Sequence, residues 1–414
     1  MTTLYNTPRG ESWDPMPLEV WSWGGQPLGR VSGVESAKLT WNDGSADTAK
    51  VEADLDDVTS ALVPCDGEYL LVGRLNGATH LTVPTQVEVF SNDDDPSVAT
   101  VSITAAGGWT LLDGELVPPT LEDPVFWVNG DQFTVTGSLE DVVKRLIRIG
   151  VGRCLHPVLV MPSLGRGPSV TVSGEWEKLG DLLDDVLSGT GYRLDVRGWV
   201  PGDPPPAEDM VPTTPVVIVD LAMYSPVSGL EWSVESGDIT GWSYTTKRAT
   251  ATRAVISPDN SGDEDERIIR EVVGDEPASP WARREVYIRG DGYDQNDENR
   301  DPIALRYRLE DQAATELAKA ARSLEVSTTV ELAAVWEAGV DGVFPRQFWL
   351  GDMATVHLPR LDPVEQVVTA VEATITPEQF TVRPTVGTPY TLDPSLFGTV
   401  ADMSRRMTRL EKRS

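Results

Sequence analysis

Three histidines are the first residues to weigh, because histidine is a common general base and a frequent zinc ligand. They are His80, His156 and His357, which lie far apart in the sequence. None has a second ligating residue three or four positions away, and none is expected to have a cysteine or an acidic pair at ligand spacing. The sequence therefore predicts no zinc site and no histidine base. His80 and His357 lie in strand-like text and are expected to be hydrogen-bonded structural residues.

Other catalytic patterns are weak. The glycine-containing loops "GVGR" (150–153) and "SLGRGPS" (163–169) match neither the dinucleotide fingerprint nor the P-loop. The sequence contains no G-x-S-x-G nucleophile elbow and no H-E-x-x-H helix. The 65 Asp and Glu residues offer many carboxylates, but nothing in the sequence selects one pair for glycoside hydrolysis. We therefore predict no catalytic, cofactor-binding or metal-binding residues, no cofactor, and no enzymatic activity.

Two acidic stretches, 257–267 and 289–302, lack apolar periodicity. Neither follows the calcium-loop pattern of an EF-hand, so we interpret both as solvated loops, with loose surface calcium binding as the alternative. The 13 tryptophans could stack on sugars, but several, such as Trp41 and Trp232, lie inside strand-like runs. Such positions favour core or interface packing over carbohydrate binding.

The charge of the chain narrows the classes of partner. The formal net charge of −31 argues against sequence-specific nucleic-acid binding and against stable binding to an anionic membrane. No apolar run approaches the roughly 20 residues of a membrane span, and the polar start "MTTLYNTPRGESWDP" does not resemble a secretory signal. Two cysteines, Cys65 and Cys154, cannot found a disulfide framework. We expect a soluble protein made in a cytoplasm.

The predicted secondary structure, which would position any site, changes from strands to helices and back along the chain. The first third consists of short runs rich in Val, Leu, Thr and aromatic residues, separated by turn signals at barrel or sandwich spacing. Asn76-Gly77 predicts a hairpin turn. Helices are predicted from Ser138 (N-cap) to Gly150, from Trp176 to Gly189, and from Pro302 to about Ser323. Strand patterns return between and after these helices.

This order predicts an α+β multidomain chain that is predominantly β. We divide it into four segments: 1–137, a β-barrel-like module; 138–200, a helix–strand α/β module; 201–390, a second β-rich region with one long helix near 302–323; and 391–414, a C-terminal helix.

Several of these segments occur in the same order in a known family. The opening "W…PLGRVSGVESAKLTWNDGSADTAKVEADL" (23–55), the helix "SLEDVVKRLIRIG", the later "LGDLLDDVLSGTGYRLDVR" and the ending "GDMATVHL…VEATITPEQFTVRPTVG" resemble minor tail proteins of siphophages that infect actinobacteria. The most recognisable pair is the Gly351-Asp352 motif followed by a strand that closes at Gly387.

The resemblance implies a tail-tip, or baseplate, hub fold: two β-barrel-like modules with smaller α/β modules between them. Such hubs form a ring, usually trimeric, that closes the distal tail tube. They join the tube to fibres and other tip proteins, contact the tape-measure protein and let DNA pass through the lumen. The alternatives from other classes are a tail-associated cell-wall hydrolase and a receptor- or glycan-binding tail protein.

The last twenty residues predict how copies would associate. Apolar residues recur at heptad a and d positions, and Arg406 and Glu411 occupy the g and e positions that pair between parallel helices. The segment "RMTRLE" also resembles a trimer-favouring coiled-coil motif. We predict a parallel three-helix bundle, with a helix lying on its own chain as the alternative. The expected oligomer interface comprises Leu396, Val400, Met403, Arg406, Met407, Leu410 and Glu411.

Overall fold

The computed structural model describes residues 16–75, 77–91, 98–118, 133–174, 176–188, 190–258, 269–274, 279–290, 302–320, 323–330, 348–377 and 380–387. Strands predominate over helices in these residues, which confirms the predicted α+β, predominantly β class. None of the helices in this part of the chain is long and apolar enough to cross a membrane.

The described residues contain four α-helices: α1 Thr110–Asp113, α2 Leu139–Cys154, α3 Leu179–Leu187 and α4 Pro302–Lys319. The strands of the first half are β1 Leu18–Ser22, β2 Pro27–Arg30, β3 Ser36–Asn42, β4 Thr48–Asp54, β5 Tyr69–Leu75, β6 Ala78–Ser91, β7 Ala99–Gly107, β8 Leu116–Val117, β9 Phe133–Ser138, β10 Val158–Val160, β11 Ser169–Gly174, β12 Glu177–Lys178 and β13 Tyr192–Trp199. The strands of the second half are β14 Val216–Met223, β15 Ser225–Ser233, β16 Ile239–Lys247, β17 Arg253–Pro258, β18 Arg270–Val273, β19 Glu285–Gly290, β20 Ser323–Val330, β21 Asp352–His357, β22 Val364–Ile375 and β23 Phe380–Gly387.

The chain forms two compact units, and we describe each by itself. Unit 1 comprises residues 1–242 and 328–391, and unit 2 comprises residues 243–327 and 392–414.

An antiparallel run of strands, in the order β6–β7–β4–β3–β22–β23, forms the centre of unit 1. Alternate residues of β3 and β4, such as Leu39 and Val51, are buried while their neighbours face outward, which is the period-2 pattern of a sheet with one wet face. The predicted hairpin is present, since Leu75 pairs with Ala78 and Gly77 has a φ of +80°. The described strand pairings do not form a closed ring, so the barrel-like modules stay a prediction.

Helix α2 begins as the sequence predicts. The hydroxyl of Ser138 accepts a hydrogen bond from the Asp141 backbone N–H at 3.2 Å, which is the N-cap contact. The predicted end at Gly150 is wrong, because the helix continues to Cys154 and ends at Leu155 in the left-handed conformation. Gly150 serves close packing instead: a Cβ at this position would lie 2.8 Å from Cδ2 of Leu179.

Helices α3 and α4 differ from prediction only at their ends. Helix α3 begins at Leu179 rather than Trp176, since residues 177 and 178 form the short strand β12. Gly189, its predicted cap, lies outside the described residues. Helix α4 begins at Pro302 as predicted but ends at Lys319, and Ser323 already belongs to β20.

The helices of unit 1 cover an apolar cluster of twenty buried residues that also includes side chains of β9, β11, β13 and β14. Helix α2 contributes six of them, at the 3.6-residue spacing of one helix face: Leu139, Val142, Val143, Leu146, Ile147 and Val151. Each fully buried side chain of this size is worth roughly 1.5–3 kcal/mol.

The described residues of unit 2 form a smaller core. Strand β17 lies between antiparallel β18 and parallel β19, and α4 packs on this three-stranded sheet. Its buried cluster contains seven residues: Ala251, Ala254, Ile256, Leu305, Leu309, Ala313 and Leu317.

Candidate functional site

The predicted interface residues Leu396, Val400, Met403, Arg406, Met407, Leu410 and Glu411 lie outside the described residues, so the trimer interface stays a prediction. The described residues offer five further features: a buried histidine, a mixed cluster at the end of α2, two ionic networks and an exposed strand edge.

His80 lies on β6 and is completely buried. Its Nε2 is 3.2 Å from the carbonyl oxygen of Thr40, and its ring packs edge-on against Trp41 with centroids 4.8 Å apart. Burial lowers the pKa of His80 to about 4, although hydrogen bonds to the backbone oppose the shift. A neutral, enclosed ring of this kind has a structural role, as the sequence predicted. His357 lies on β21 with Nε2 3.7 Å from Glu231.

His156 departs from the prediction. The expectation that no cysteine or acidic group accompanies a histidine at ligand spacing is wrong here, because Cys154, His156 and Glu115 lie together at the end of α2. The His156 Nε2 is 2.7 Å from one carboxylate oxygen of Glu115, and the Cys154 thiol donates to the other at 3.2 Å. The Cys154-x-His156 spacing was visible in the sequence, whereas Glu115, 39 residues before Cys154, carried no signal.

A four-residue ionic network fixes α2 to its surroundings. Lys144 is fully buried, and its Nζ donates to Glu140 and to Asp220 at 2.6 Å each. Arg166 contacts the same two carboxylates at 2.7 Å each. Burial acts to raise the pKa of Glu140, but hydrogen bonds from Arg166 and Lys144 outweigh it and hold that pKa well below its usual range. The positive charges of Lys144 and Arg166 therefore offset the negative charges of Glu140 and Asp220.

A second network explains the most recognisable sequence motif. Gly351 has a φ of +82°, and a Cβ there would lie 2.2 Å from Nε of Arg193. The Asp352 carboxylate accepts from the Trp349 backbone N–H at 2.6 Å, which closes the turn. Arg193 in turn contacts Asp43 at 3.3 Å. Gly351 and Asp352 therefore form a structural turn that packs against Arg193 and leads into β21.

The outer half of β6 is an exposed strand edge. From Gln86 to Ser91 it pairs with β7 alone among the described residues, because the β5 and β13 pairings end earlier along the strand. Val89 and Phe90 on this segment are 44% and 49% exposed. An edge with unpaired backbone groups and apolar side chains is typical of a place where another strand is added.

Comparison with known proteins relates this fold to a protein family. The model of the family described as "Siphovirus ReqiPepy6 Gp37-like protein" matches residues 17–388. No curated protein matches the sequence.

Solved structures of tail proteins share the fold. The prophage tail protein gp18 from Listeria monocytogenes is 12% identical, with a TM-score of 0.51, and the match covers 94% of this chain and 99% of that chain. The 43 kDa tail protein of prophage MuSo2 from Shewanella oneidensis is 13% identical, with a TM-score of 0.50 and coverage of 91% and 99%. A tail protein from Neisseria meningitidis is 12% identical, with a TM-score of 0.50 and coverage of 92% and 99%.

The family match spans most of the sequence, and the similarity to the three structures extends over nearly the whole of each chain. The family resemblance seen in the sequence is confirmed, while the actinobacterial host stays a prediction. The chain belongs to the siphovirus ReqiPepy6 Gp37-like family and has the fold of phage tail proteins.

Proposed function

We propose that this protein is a virion subunit of the siphophage tail-tip hub, a homotrimeric ring that closes the distal tail tube and joins it to fibres and other tip proteins. In this role it takes part in host attachment and genome delivery. The observation that carries the proposal is the similarity to tail proteins over 91–94% of this chain and 99% of theirs. A likeness of that extent fits a protein that is a tail component throughout, rather than an enzyme with a tail-like appendage.

The exposed edge of β6 supports a ring. Its one-sided pairing and its exposed Val89 and Phe90 suit addition of a strand from a second copy. The heptad segment from Leu396 to Leu410 supplies a threefold contact in the same proposal. Together the two features would set both the perimeter and the axis of the ring.

The net charge supports passage of DNA through the ring. A chain with a formal charge of −31 repels phosphates, so DNA can move through its lumen without being held. A map of the assembled tip with a neutral or basic lumen surface would contradict this part of the proposal.

The experiment that tests the proposal is mass photometry of the purified chain, followed by negative-stain imaging. We expect trimers that appear as threefold rings. Replacing Met407 and Leu410 by Asp should dissociate them, because two carboxylates would enter each apolar seam.

The matched control replaces Ala401 and Thr408, at outward b positions of the same heptads, by Asp. This variant adds the same charge and should remain trimeric. A monomer for the unchanged chain would overturn the hub. Release of cell-wall fragments by the purified protein would favour the hydrolase instead. Monomers that bind host cells or glycans would favour the receptor-binding alternative.

A further inference from the structure

Three metal-type donors converge at the C-terminal end of α2. The thiol sulfur of Cys154, the Nε2 of His156 and a carboxylate oxygen of Glu115 all lie within 4.8 Å of one another. Two of the separations are hydrogen bonds of 2.7 and 3.2 Å. We propose that these three residues bind a borderline divalent cation of the Zn²⁺ class, with the fourth position open. This site goes beyond the proposed hub function and does not depend on it.

The donor set selects the class of metal. A thiolate together with an imidazole is the ligand combination that zinc prefers, and a carboxylate is its usual third kind of ligand. Ca²⁺ and Mg²⁺ require oxygen ligands and gain little from sulfur or nitrogen. The loose calcium binding considered for the acidic loops is therefore a separate question from this cluster.

The spacing suits a tetrahedral ion. With Zn–N and Zn–O distances near 2.0–2.2 Å and Zn–S near 2.3 Å, tetrahedral ligand atoms lie about 3.3–3.6 Å apart. The distance between His156 Nε2 and the Glu115 carboxylate oxygen, now 2.7 Å, must increase slightly on metal binding. The other separations between donor atoms are already no more than 4.8 Å.

The backbone holds the three residues in place. Glu115 follows α1, and its carbonyl accepts the Leu179 backbone N–H at 2.7 Å. Leu155 has the left-handed φ of 55°, which reverses the chain between Cys154 and His156. The His156 backbone N–H then returns to the carbonyl of Val151 at 3.3 Å. Two ligands thus come from one helix end and the third from an element packed beside it.

The site is open to solvent. Cys154 is exposed, and the side chains of Glu115 and His156 are 15% and 24% exposed. His156 also lines an open cleft of about 390 Å³ beside Arg148 and Val151. Three protein ligands with an open fourth position, filled by water or by a group from another molecule, is a common zinc arrangement.

Proton balance distinguishes metal binding from a hydrogen-bonded cluster. Without metal, the Cys154 thiol donates its proton to Glu115. In the complex the thiolate and the Nε2 lone pair bind the ion, the thiol proton goes to solvent, and the neutral imidazole carries its proton on Nδ1. Binding therefore releases one proton from the thiol, and affinity rises with pH.

The test titrates the full-length chain, stripped of metal by chelation, with Zn²⁺ and with Co²⁺. We expect one equivalent of Zn²⁺ by calorimetry, a rise in Tm, and a thiolate-to-cobalt charge-transfer band with Co²⁺. Cys154→Ser should abolish the band and weaken Zn²⁺ binding at least tenfold, and Glu115→Gln should weaken it similarly.

Two variants serve as matched controls. Cys65→Ser removes the other free cysteine, and His357→Gln removes a histidine that also faces a glutamate. Both should keep the full stoichiometry and the cobalt band. Circular dichroism and the metal-free Tm establish that each variant folds. Absence of stoichiometric Zn²⁺ binding, or equal binding by folded Cys154→Ser, would overturn the proposal.

Discussion

Helices α2 and α4 each lie on a β-sheet, but different forces hold them there. Helix α2 joins a cluster of twenty buried residues and carries a fully buried Lys144 that reaches Asp220 on β14. Helix α4 joins a cluster of seven, and its ion pair to the sheet, Glu310 with Arg270 at 3.4 Å, is 41% and 34% exposed. The same helix-on-sheet arrangement thus combines a large apolar cluster with buried charge in unit 1, whereas unit 2 relies on a narrow apolar stripe.

This difference predicts which substitutions should destabilise each unit most. Buried charges add little net stability when complete, but they are costly to break because the remaining partner stays uncompensated. Truncating one residue of a small apolar cluster leaves no uncompensated charge. Each residue, however, contributes a large share of the apolar surface buried in that cluster. The predictions below test this contrast, from the largest expected effect to the smallest.

Lys144→Met should destabilise unit 1 by about 3–5 kcal/mol, because Glu140 and Asp220 would then share Arg166 as their remaining cation. Urea unfolding followed by tryptophan fluorescence measures the change.

Arg270→Met is the matched variant for the exposed pair in unit 2. We expect it to cost less than about 1 kcal/mol, because solvent screens that ion pair. Equal costs for the two variants would show that burial does not separate the two helices.

Leu309→Ala should cost about 3 kcal/mol, because Leu309 is fully buried among only seven core residues. We expect hydrogen exchange of the β17 amides to accelerate while amides of α2 stay protected. Leu146→Ala, at an equally buried position of the larger cluster, is the comparison. If Leu309→Ala leaves β17 protected, the smaller core is not the weaker one.

The buried groups of unit 1 also make its stability depend on pH. Burial raises the pKa of Asp47 to about 7 from an ordinary value of 3.8, although the Asn42 backbone N–H opposes the shift. A raised pKa means that the folded chain holds the proton longer than the unfolded chain. The stability contributed by Asp47 is therefore full below pH 3.8 and is lost as the pH rises to about 7.

Asp47→Asn should remove this loss, with a gain on the order of 3–4 kcal/mol above pH 7 relative to pH 4. The amide oxygen can still accept from Asn42, which contacts Asp47 at 2.8 Å. His80 acts in the opposite direction: its lowered pKa gives stability that is present above pH 6.5 and is lost as the pH falls to about 4. Urea unfolding of the unchanged protein and of Asp47→Asn at several pH values measures the difference. Parallel curves of unfolding free energy against pH would contradict the assignment to Asp47.

Ser138→Ala should have a small effect, about 1 kcal/mol, because it removes one N-cap hydrogen bond from α2. Ser138→Asp retains an acceptor and should recover most of the loss in the same urea titration. A larger loss than for Leu146→Ala, a buried position of the same helix, would mean that capping, rather than burial, fixes α2.

Local signals in the sequence predicted much of the fold. Ser138 as an N-cap, Pro302 as a helix start and the turn at Gly77 follow from backbone chemistry within a few residues. Contacts between distant segments could not be predicted. Gly150 appeared to end a helix because its packing partner, Leu179, lies 29 residues away.

The same limit applies to the candidate sites. Glu140 and Lys144 are four residues apart and suggest an ion pair on one helix, but nothing local shows that Asp220 completes it. Cys154 and His156 stand two residues apart, yet a third donor was needed to distinguish a site from a coincidence. The heptad residues from Leu396 to Leu410 lie outside the described part of the chain, so that interface stays a prediction.

The open edge of β6 has a consequence for any free copy of the chain in solution. Unpaired strand edges invite indiscriminate pairing, and Val89 and Phe90 would strengthen it. The formal charge of −31 opposes such encounters, because two copies repel each other over roughly the 10 Å Debye length at 0.1 M salt. Electrostatic repulsion therefore slows the association of free copies. Raising the ionic strength should screen this repulsion and speed self-association without any change in the fold.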